Sequence, residues 1–166
     1  MLTKRRVLAV SSAVAVTAIA LSGCAGAGGG GQAAGLEAAG FAHSAAIEID
    51  AAACKTLRAN RPRWDVIEAD VCKIDGADYE GVDLLAGGVP CPPFSIAGKQ
   101  LGEDDERDMF PVALGLVRKA KPRAVLLENV PGFASAKFEE YRGSILQQLT
   151  AMGYIADWKI LNACDF

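Results

Sequence analysis

The chain has 166 residues, of which 51% are hydrophobic, and a formal net charge of -3. This length is enough for one domain with a hydrophobic core, and the ordinary charge content favours a globular chain over a disordered one. A weakly acidic chain lacks the basic surface by which many proteins bind nucleic acid without sequence preference. The five cysteines form no Cys-x-x-Cys pair, so the sequence predicts neither a zinc site nor a disulfide framework and favours a reducing compartment.

The first 24 residues allow two interpretations. The basic residues Lys4-Arg5-Arg6 precede an apolar stretch over residues 7–20, and Leu21-Ser22-Gly23-Cys24 follows. This order is typical of a secretory signal peptide, and its end resembles the cleavage site of a bacterial lipoprotein. The apolar stretch is too short for a membrane-spanning helix. Alternatively, residues 14–20 form the first buried strand of a sheet and lead into a glycine-rich loop.

The glycine-rich loop covers residues 26–31 and precedes a helix that is predicted from about Gln32 to Ala39, where Gly40 ends it. Such a loop lets the backbone approach a ligand at the helix N-terminus, although a flexible linker has the same composition. The second strand is predicted over Ser44–Ile49. Glu48 lies at its end, about 20 residues past the loop, where a carboxylate can accept hydrogen bonds from both hydroxyls of a ribose. The alternative for Glu48 is an ordinary solvated carboxylate.

Helix and strand patterns alternate along the rest of the chain. Helices are predicted over Ala51–Asn60, Met109–Lys121 and Phe138–Met152, and strands over Trp64–Glu68, Val82–Ala86, Ala124–Leu127 and Ile155–Leu161. This alternation predicts an α/β fold with a mainly parallel, doubly wound sheet and helices on both faces. In sheets of this kind, ligands bind at the carboxyl ends of the strands.

Cys91 stands between two prolines, in the segment of residues 87–95 that follows a predicted buried strand. Each proline fixes φ and lacks an N–H, so a stiff loop presents the thiol, and the preceding glycines leave room for close approach to the backbone. A single cysteine is more often a small buried hydrophobic residue than a nucleophile. Here, however, Glu128 and Asn129 follow another predicted buried strand and reach the same edge of the sheet. His43, the only histidine, is near neither segment, so no Cys-His assembly is predicted.

These segments together resemble the ordered motifs of C5-cytosine DNA methyltransferases. The catalytic pair of motifs is matched by Gly88-Val89-Pro90-Cys91-Pro92-Pro93-Phe94-Ser95 and Leu127-Glu128-Asn129-Val130. Five further segments match in the family's order: Gly35–Phe41, Ile47–Asp50, Ala69–Val71, Arg107–Phe110 and Asn162–Phe166. The resemblance covers roughly residues 26–166. Two departures are visible, because Pro92 stands where the family has Gln and the family's Asp-Leu-Phe before the glycine loop is missing.

The resemblance implies a DNA (cytosine-5-)-methyltransferase with a Rossmann-like sheet. Such an enzyme transfers a methyl group from S-adenosylmethionine to C5 of a cytosine that is flipped out of double-stranded DNA. The resemblance implies that Cys91 forms a covalent adduct with the base and that Glu128 stabilises the charge that spreads into the ring. The cofactor-binding residues that it implies are Gly28, Gly30, Glu48, Ile49, Asp70 and Pro90. Among them, Asp70 is implied to bind the amino group of the adenine. It assigns support of the base and of the catalytic loop to Pro92, Ser95, Asn129 and Val130, and no metal is expected.

The resemblance further implies that residues 25–166 are a partial catalytic domain. The family continues with a Pro-Gln and paired-arginine segment, a target-recognition domain and a final helix, so the 166 residues alone are expected neither to methylate DNA nor to recognise a sequence. A cytoplasmic monomer, accompanied by a cognate restriction endonuclease, is expected, since the DNA lies in the cytoplasm. Two alternatives stay open. One is a non-catalytic remnant that is exported as a membrane lipoprotein; the other is a nicotinamide-dependent dehydrogenase, which shares the glycine loop and the acid about 20 residues later.

Overall fold

The computed structural model describes residues 16–22, 31–89 and 108–165. Within these residues the strands are β1 Val16–Ser22, β2 Phe41–Glu48, β3 Val66–Glu68, β4 Leu84–Gly88 and β5 Ala124–Glu128. The helices are α1 Gly31–Ala38, α2 Ala51–Asn60, α3 Phe110–Ala120 and α4 Glu139–Ala151. The five strands form one parallel sheet in the order β3-β2-β1-β4-β5. No helix in the described part of the chain is long and apolar enough to cross a membrane.

β1 occupies the centre of the sheet, between β2 and β4. It begins two residues later than the strand proposed above for the start of the chain, and it pairs along its full length with β2. The segment between β1 and α1, which contains Gly28 and Gly30, lies outside the described residues.

Two helices pack on each face of the sheet: α1 and α2 on one face, and α3 and α4 on the other. On one face, Leu36 of α1 packs against Ala86 of β4, and Cys54 of α2 packs against Ala46 of β2. Successive residues of a strand point to opposite faces, and Leu85 accordingly joins the core that α3 and α4 form on the other face. That core contains Phe110, Leu114, Val117, Ile145 and Leu149. The predicted doubly wound α/β architecture is therefore confirmed.

Local signals in the sequence set the ends of the first two helices. The carboxylate of Asp50 accepts a hydrogen bond from the Ala53 N–H at 2.7 Å and so caps the N-terminus of α2. α2 has the predicted limits, and it ends two residues before Pro62. After α1, Gly40 adopts φ = +94°, a left-handed conformation that glycine adopts without steric cost.

β5 was predicted to be buried, and this prediction is wrong. Its residues are half-buried or exposed, and Leu126 is 45% exposed. Val125 and Leu127 pack against the core of α3 and α4, so Leu126 faces the opposite side. The described helices on that side, α1 and α2, make their main contacts with the other four strands. An apolar run in the sequence does not reveal whether a helix covers it.

The prediction of a strand over Ile155–Leu161 is also wrong. The segment has no regular secondary structure, Ile155 is fully exposed, and Ile160 and Leu161 are exposed as well. Alternation of apolar residues indicates a side-chain spacing suited to a strand. A strand also needs a neighbour to pair its backbone groups, and within the described residues no strand pairs with this segment.

Candidate active site

The carboxyl ends of the five strands form one edge of the sheet. The register places Glu68, Glu48, Ser22, Gly88 and Glu128 in a single row across that edge. As members of one row, the side chains of Glu68, Glu48 and Glu128 project to the same face of the sheet. Three strand spacings separate Glu48 from Glu128, which corresponds to about 14 Å between their backbones. The edge that the sequence predicts to hold a ligand therefore carries three glutamates, each in a different environment.

Glu48 is the buried member of this row, with 3% of its surface exposed. Its Oε1 accepts a hydrogen bond from the Asp50 N–H at 2.9 Å. Its carbonyl oxygen accepts from the Ala69 N–H at 2.9 Å and from the Cys54 thiol at 3.5 Å. The backbone of Glu48 is thus tied to both β3 and α2, and its buried carboxylate retains acceptor capacity beyond the one N–H that it binds.

Ile49 and Asp70 lie beside this carboxylate. Ile49 follows Glu48 directly and is 61% exposed, which places an apolar surface next to a buried acceptor. Asp70 follows Ala69, whose N–H is bound to Glu48, and its Oδ1 accepts from the Cys72 N–H at 2.9 Å. The backbone N–H and the thiol of Cys72 lower the pKa of Asp70, so its carboxylate is ionised at neutral pH. The hydrogen bond from the Cys72 N–H caps a short 3₁₀ helix over Val71–Lys73.

Glu128 lies at the end of β5 with its side chain exposed. Its carbonyl oxygen accepts from the Val89 N–H at 3.2 Å, so the chain that leads into the Cys91 loop is bonded to the strand end that carries Glu128. Next to Glu128, the Oδ1 of Asn129 accepts from the Val130 N–H at 2.8 Å. This bond shapes the start of the turn after the strand.

A buried arginine holds the remainder of that turn. Arg142 of α4 is 7% exposed, and its Nη1 donates to the carbonyl oxygens of Phe133 at 2.5 Å and Ser135 at 2.7 Å. Its guanidinium also lies over the ring of Trp158, 4.7 Å from the centroid. Sequence reasoning missed Arg142. A usable signal was its helical spacing from Ile145 and Leu149, which puts it on the buried face of α4.

Six of the residues that were predicted for the site lie outside the described residues: Gly28, Gly30, Pro90, Cys91, Pro92 and Ser95. The described members are Glu48, Ile49, Asp70, Glu128, Asn129 and Val130, and all of them are at or next to the carboxyl ends of β2, β3 and β5. Among the described residues, no group of three or more His, Cys, Asp and Glu side chains is arranged to hold a metal ion.

His43 lies near the start of β2, away from this edge. Its Nε2 is 2.9 Å from the Ala33 carbonyl oxygen, and its ring contacts Trp64 at a centroid distance of 4.2 Å. In the same cluster, Glu37 accepts from Arg61 at 2.6 Å and from the Trp64 indole at 3.0 Å, and these bonds lower its pKa. The cluster joins α1, α2 and the segment before β3.

Comparison with known proteins gives one consistent result. The family model for C-5 cytosine-specific DNA methylases matches residues 24–166. The Type II methyltransferase M.NgoMIV of Neisseria gonorrhoeae is 58% identical over 127 residues, which cover 76% of this chain and 41% of that protein. M.NaeI of Lentzea aerocolonigenes is 53% identical over 130 residues, which cover 76% of this chain and 32% of that protein. Among solved structures, a candidate DNA modification methyltransferase from an E. coli prophage matches with a TM-score of 0.63 and 27% identity, over 82% of this chain and 38% of that chain. The chain therefore spans about two fifths, or less, of the length of these relatives.

Proposed function

Because the chain belongs to the C-5 cytosine-specific DNA methylase family, we propose that it supplies the cofactor-binding and catalytic part of a DNA (cytosine-5-)-methyltransferase. The observation that carries this proposal is the row at the sheet edge, in which a buried Glu48 and an exposed Glu128 occupy the ends of two parallel strands. The substrate in this proposal is double-stranded DNA, and the methyl donor is S-adenosylmethionine. The proposal includes a cytoplasmic monomer that works beside a cognate restriction endonuclease.

Two residues of the chain carry the chemistry. Cys91, as a thiolate, attacks C6 of a cytosine that has left the DNA stack, and the addition makes C5 nucleophilic. Glu128 faces N3 and the exocyclic amine, where it stabilises the charge that develops in the ring. Its exposed position at the end of β5 leaves it accessible to an extruded base. C5 then forms a bond to the methyl group as the bond between that group and the donor's sulfur breaks. A base takes the C5 proton, and the electrons of the C5–H bond expel Cys91 and restore the double bond between C5 and C6.

The residues at the ends of β2 and β3 fit S-adenosylmethionine, which supplies the electrophilic methyl group when it is bound. A buried carboxylate with spare acceptor capacity suits two ribose hydroxyls, and Glu48 is such a carboxylate. The exposed Ile49 offers an apolar surface for the adenine ring. The ionised Asp70, whose backbone is linked to Glu48 through Ala69, accepts from the adenine amino group.

Replacing Glu48 by glutamine is expected to raise the Kd for S-adenosylmethionine about 10- to 100-fold, because hydrogen bonds to a charged acceptor contribute about 1.5–3 kcal/mol. Isothermal titration calorimetry on the purified chain measures this change. Glu68→Gln is the matched control, since Glu68 lies in the same row but is exposed and paired with Arg58 at 3.3 Å. Its Kd is expected to stay unchanged. Equal Kd values for the Glu48→Gln variant and the unchanged chain would contradict the proposal that Glu48 binds the ribose hydroxyls.

The methyl-transfer reaction is tested in a chimera, because the chain spans two fifths of the length of M.NgoMIV. In the chimera, this chain replaces the matching residues of M.NgoMIV, and tritiated S-adenosylmethionine is supplied with double-stranded DNA. The chimera is expected to label the DNA at C5 of cytosine, and its Cys91→Ala variant is expected to label none. A folded chimera that binds S-adenosylmethionine and transfers no methyl group would refute the proposed function.

A further inference from the structure

Gly88 and Glu128 are direct neighbours across two parallel strands, since Gly88 at the end of β4 is the register partner of Glu128 at the end of β5. Val89, the residue directly after β4, donates its N–H to the Glu128 carbonyl oxygen. The side chain of Glu128 is turned back across β4. Its Oε2 lies 3.2 Å from the point that a Cβ on residue 88 would occupy.

That distance is shorter than ordinary contact to a Cβ atom, which begins at 3.4 Å. A side chain at position 88 would therefore require the carboxylate to shift by a few tenths of an ångström. Glu128 can yield, because its exposed carboxylate is at the end of a flexible side chain. The two backbones need not move. Adding a methyl group at position 88 is thus expected to displace the carboxylate and leave the sheet intact.

We propose that Gly88 is a positioning residue, whose missing side chain provides the space in which the Glu128 carboxylate lies. The sequence suggested that the glycines before Cys91 leave room for a ligand; at Gly88, Glu128 of the same chain takes up that room. The catalytic consequence rests on the proposed role of Glu128 in methyl transfer, whereas the placement of the carboxylate does not.

The test is the Gly88→Ala variant, with Gly35→Ala as the control, because a Cβ at Gly35 meets no atom within 4 Å. In the full 166-residue chain, Gly88→Ala is expected to leave Tm within about 2 °C of the unchanged chain, less than the shift that about 1 kcal/mol would cause. The side-chain carboxyl NMR signal of Glu128, assigned with Glu128→Gln, is expected to shift. The signal of Glu48 is expected to stay in place, and Gly35→Ala is expected to move neither.

In the M.NgoMIV chimera, Gly88→Ala is expected to lower kcat about tenfold, because small errors in the position of a catalytic group are costly. The KM for S-adenosylmethionine is expected to stay unchanged. This split between kcat and KM distinguishes a displaced Glu128 from a general loss of structure. An inactive parent chimera would refute the proposed function only, since the NMR signal of Glu128 is measured without any methyl transfer.

Two results would overturn the proposal. The first is a Glu128 signal that Gly88→Ala does not move. The second is a Gly88→Ala chain that fails to fold and stays unfolded when Glu128 is also replaced by alanine, since the added methyl group would then conflict with something other than the carboxylate. Recovery of folding in that double variant would instead support the proposal.

Discussion

Replacing Glu128 by glutamine is expected to lower kcat for methyl transfer in the M.NgoMIV chimera by about 100- to 10,000-fold, the usual contribution of a general acid or base. Glutamine keeps the size of the side chain, but it can neither carry a negative charge nor deliver a carboxyl proton to the ring. Because Glu128 lies three strands away from Glu48 in the row, the Kd for S-adenosylmethionine is expected to change little. Initial rates of tritium transfer to DNA measure the effect.

The control for this prediction is again Glu68→Gln, at the opposite end of the same row. Glu68 is paired with Arg58 on the surface, and its replacement is expected to leave kcat unchanged. A Glu128→Gln chimera with at least a tenth of the parent kcat would contradict the proposed catalytic role of Glu128.

Replacing Arg142 by methionine is expected to lower the free energy of unfolding by about 2–4 kcal/mol. Methionine can fill the space of the aliphatic stem, but it cannot donate hydrogen bonds to the carbonyl oxygens of Phe133 and Ser135. A hydrogen bond from a charged donor contributes about 1.5–3 kcal/mol, and the contact between the guanidinium and the Trp158 ring is lost as well. Urea denaturation measures the change.

Arg118→Met is the matched control, since Arg118 is exposed near the end of α3. Its expected effect is within about 0.5 kcal/mol, as for most surface substitutions. If both variants lowered the free energy of unfolding equally, the loss would reflect a general effect of removing a charge. The hypothesis that Arg142 holds the turn after Glu128 would then be wrong.

Much of the local structure follows from signals within a few residues of each element. α2 has the predicted limits because Asp50 caps it and Pro62 stops the chain just beyond it. Gly40 ends α1, because it adopts a left-handed φ just after the helix. The alternation of helices with apolar strands was sufficient to predict a parallel, doubly wound sheet, since parallel strands need helical crossovers.

By itself, the sequence determined the family, the class of fold and the strand ends at which Glu48 and Glu128 lie. The tertiary structure alone decided that Glu48 is buried while Glu68 in the same row is exposed, that Gly88 faces Glu128, and that Arg142 holds the turn after β5. It also decided that Leu126 on one face of β5 is exposed and that residues 155–161 form no strand. The physical reason is the same in each case. Register, coverage by helices and strand pairing depend on which distant segments become neighbours, and the periodicity of a single segment does not contain that information.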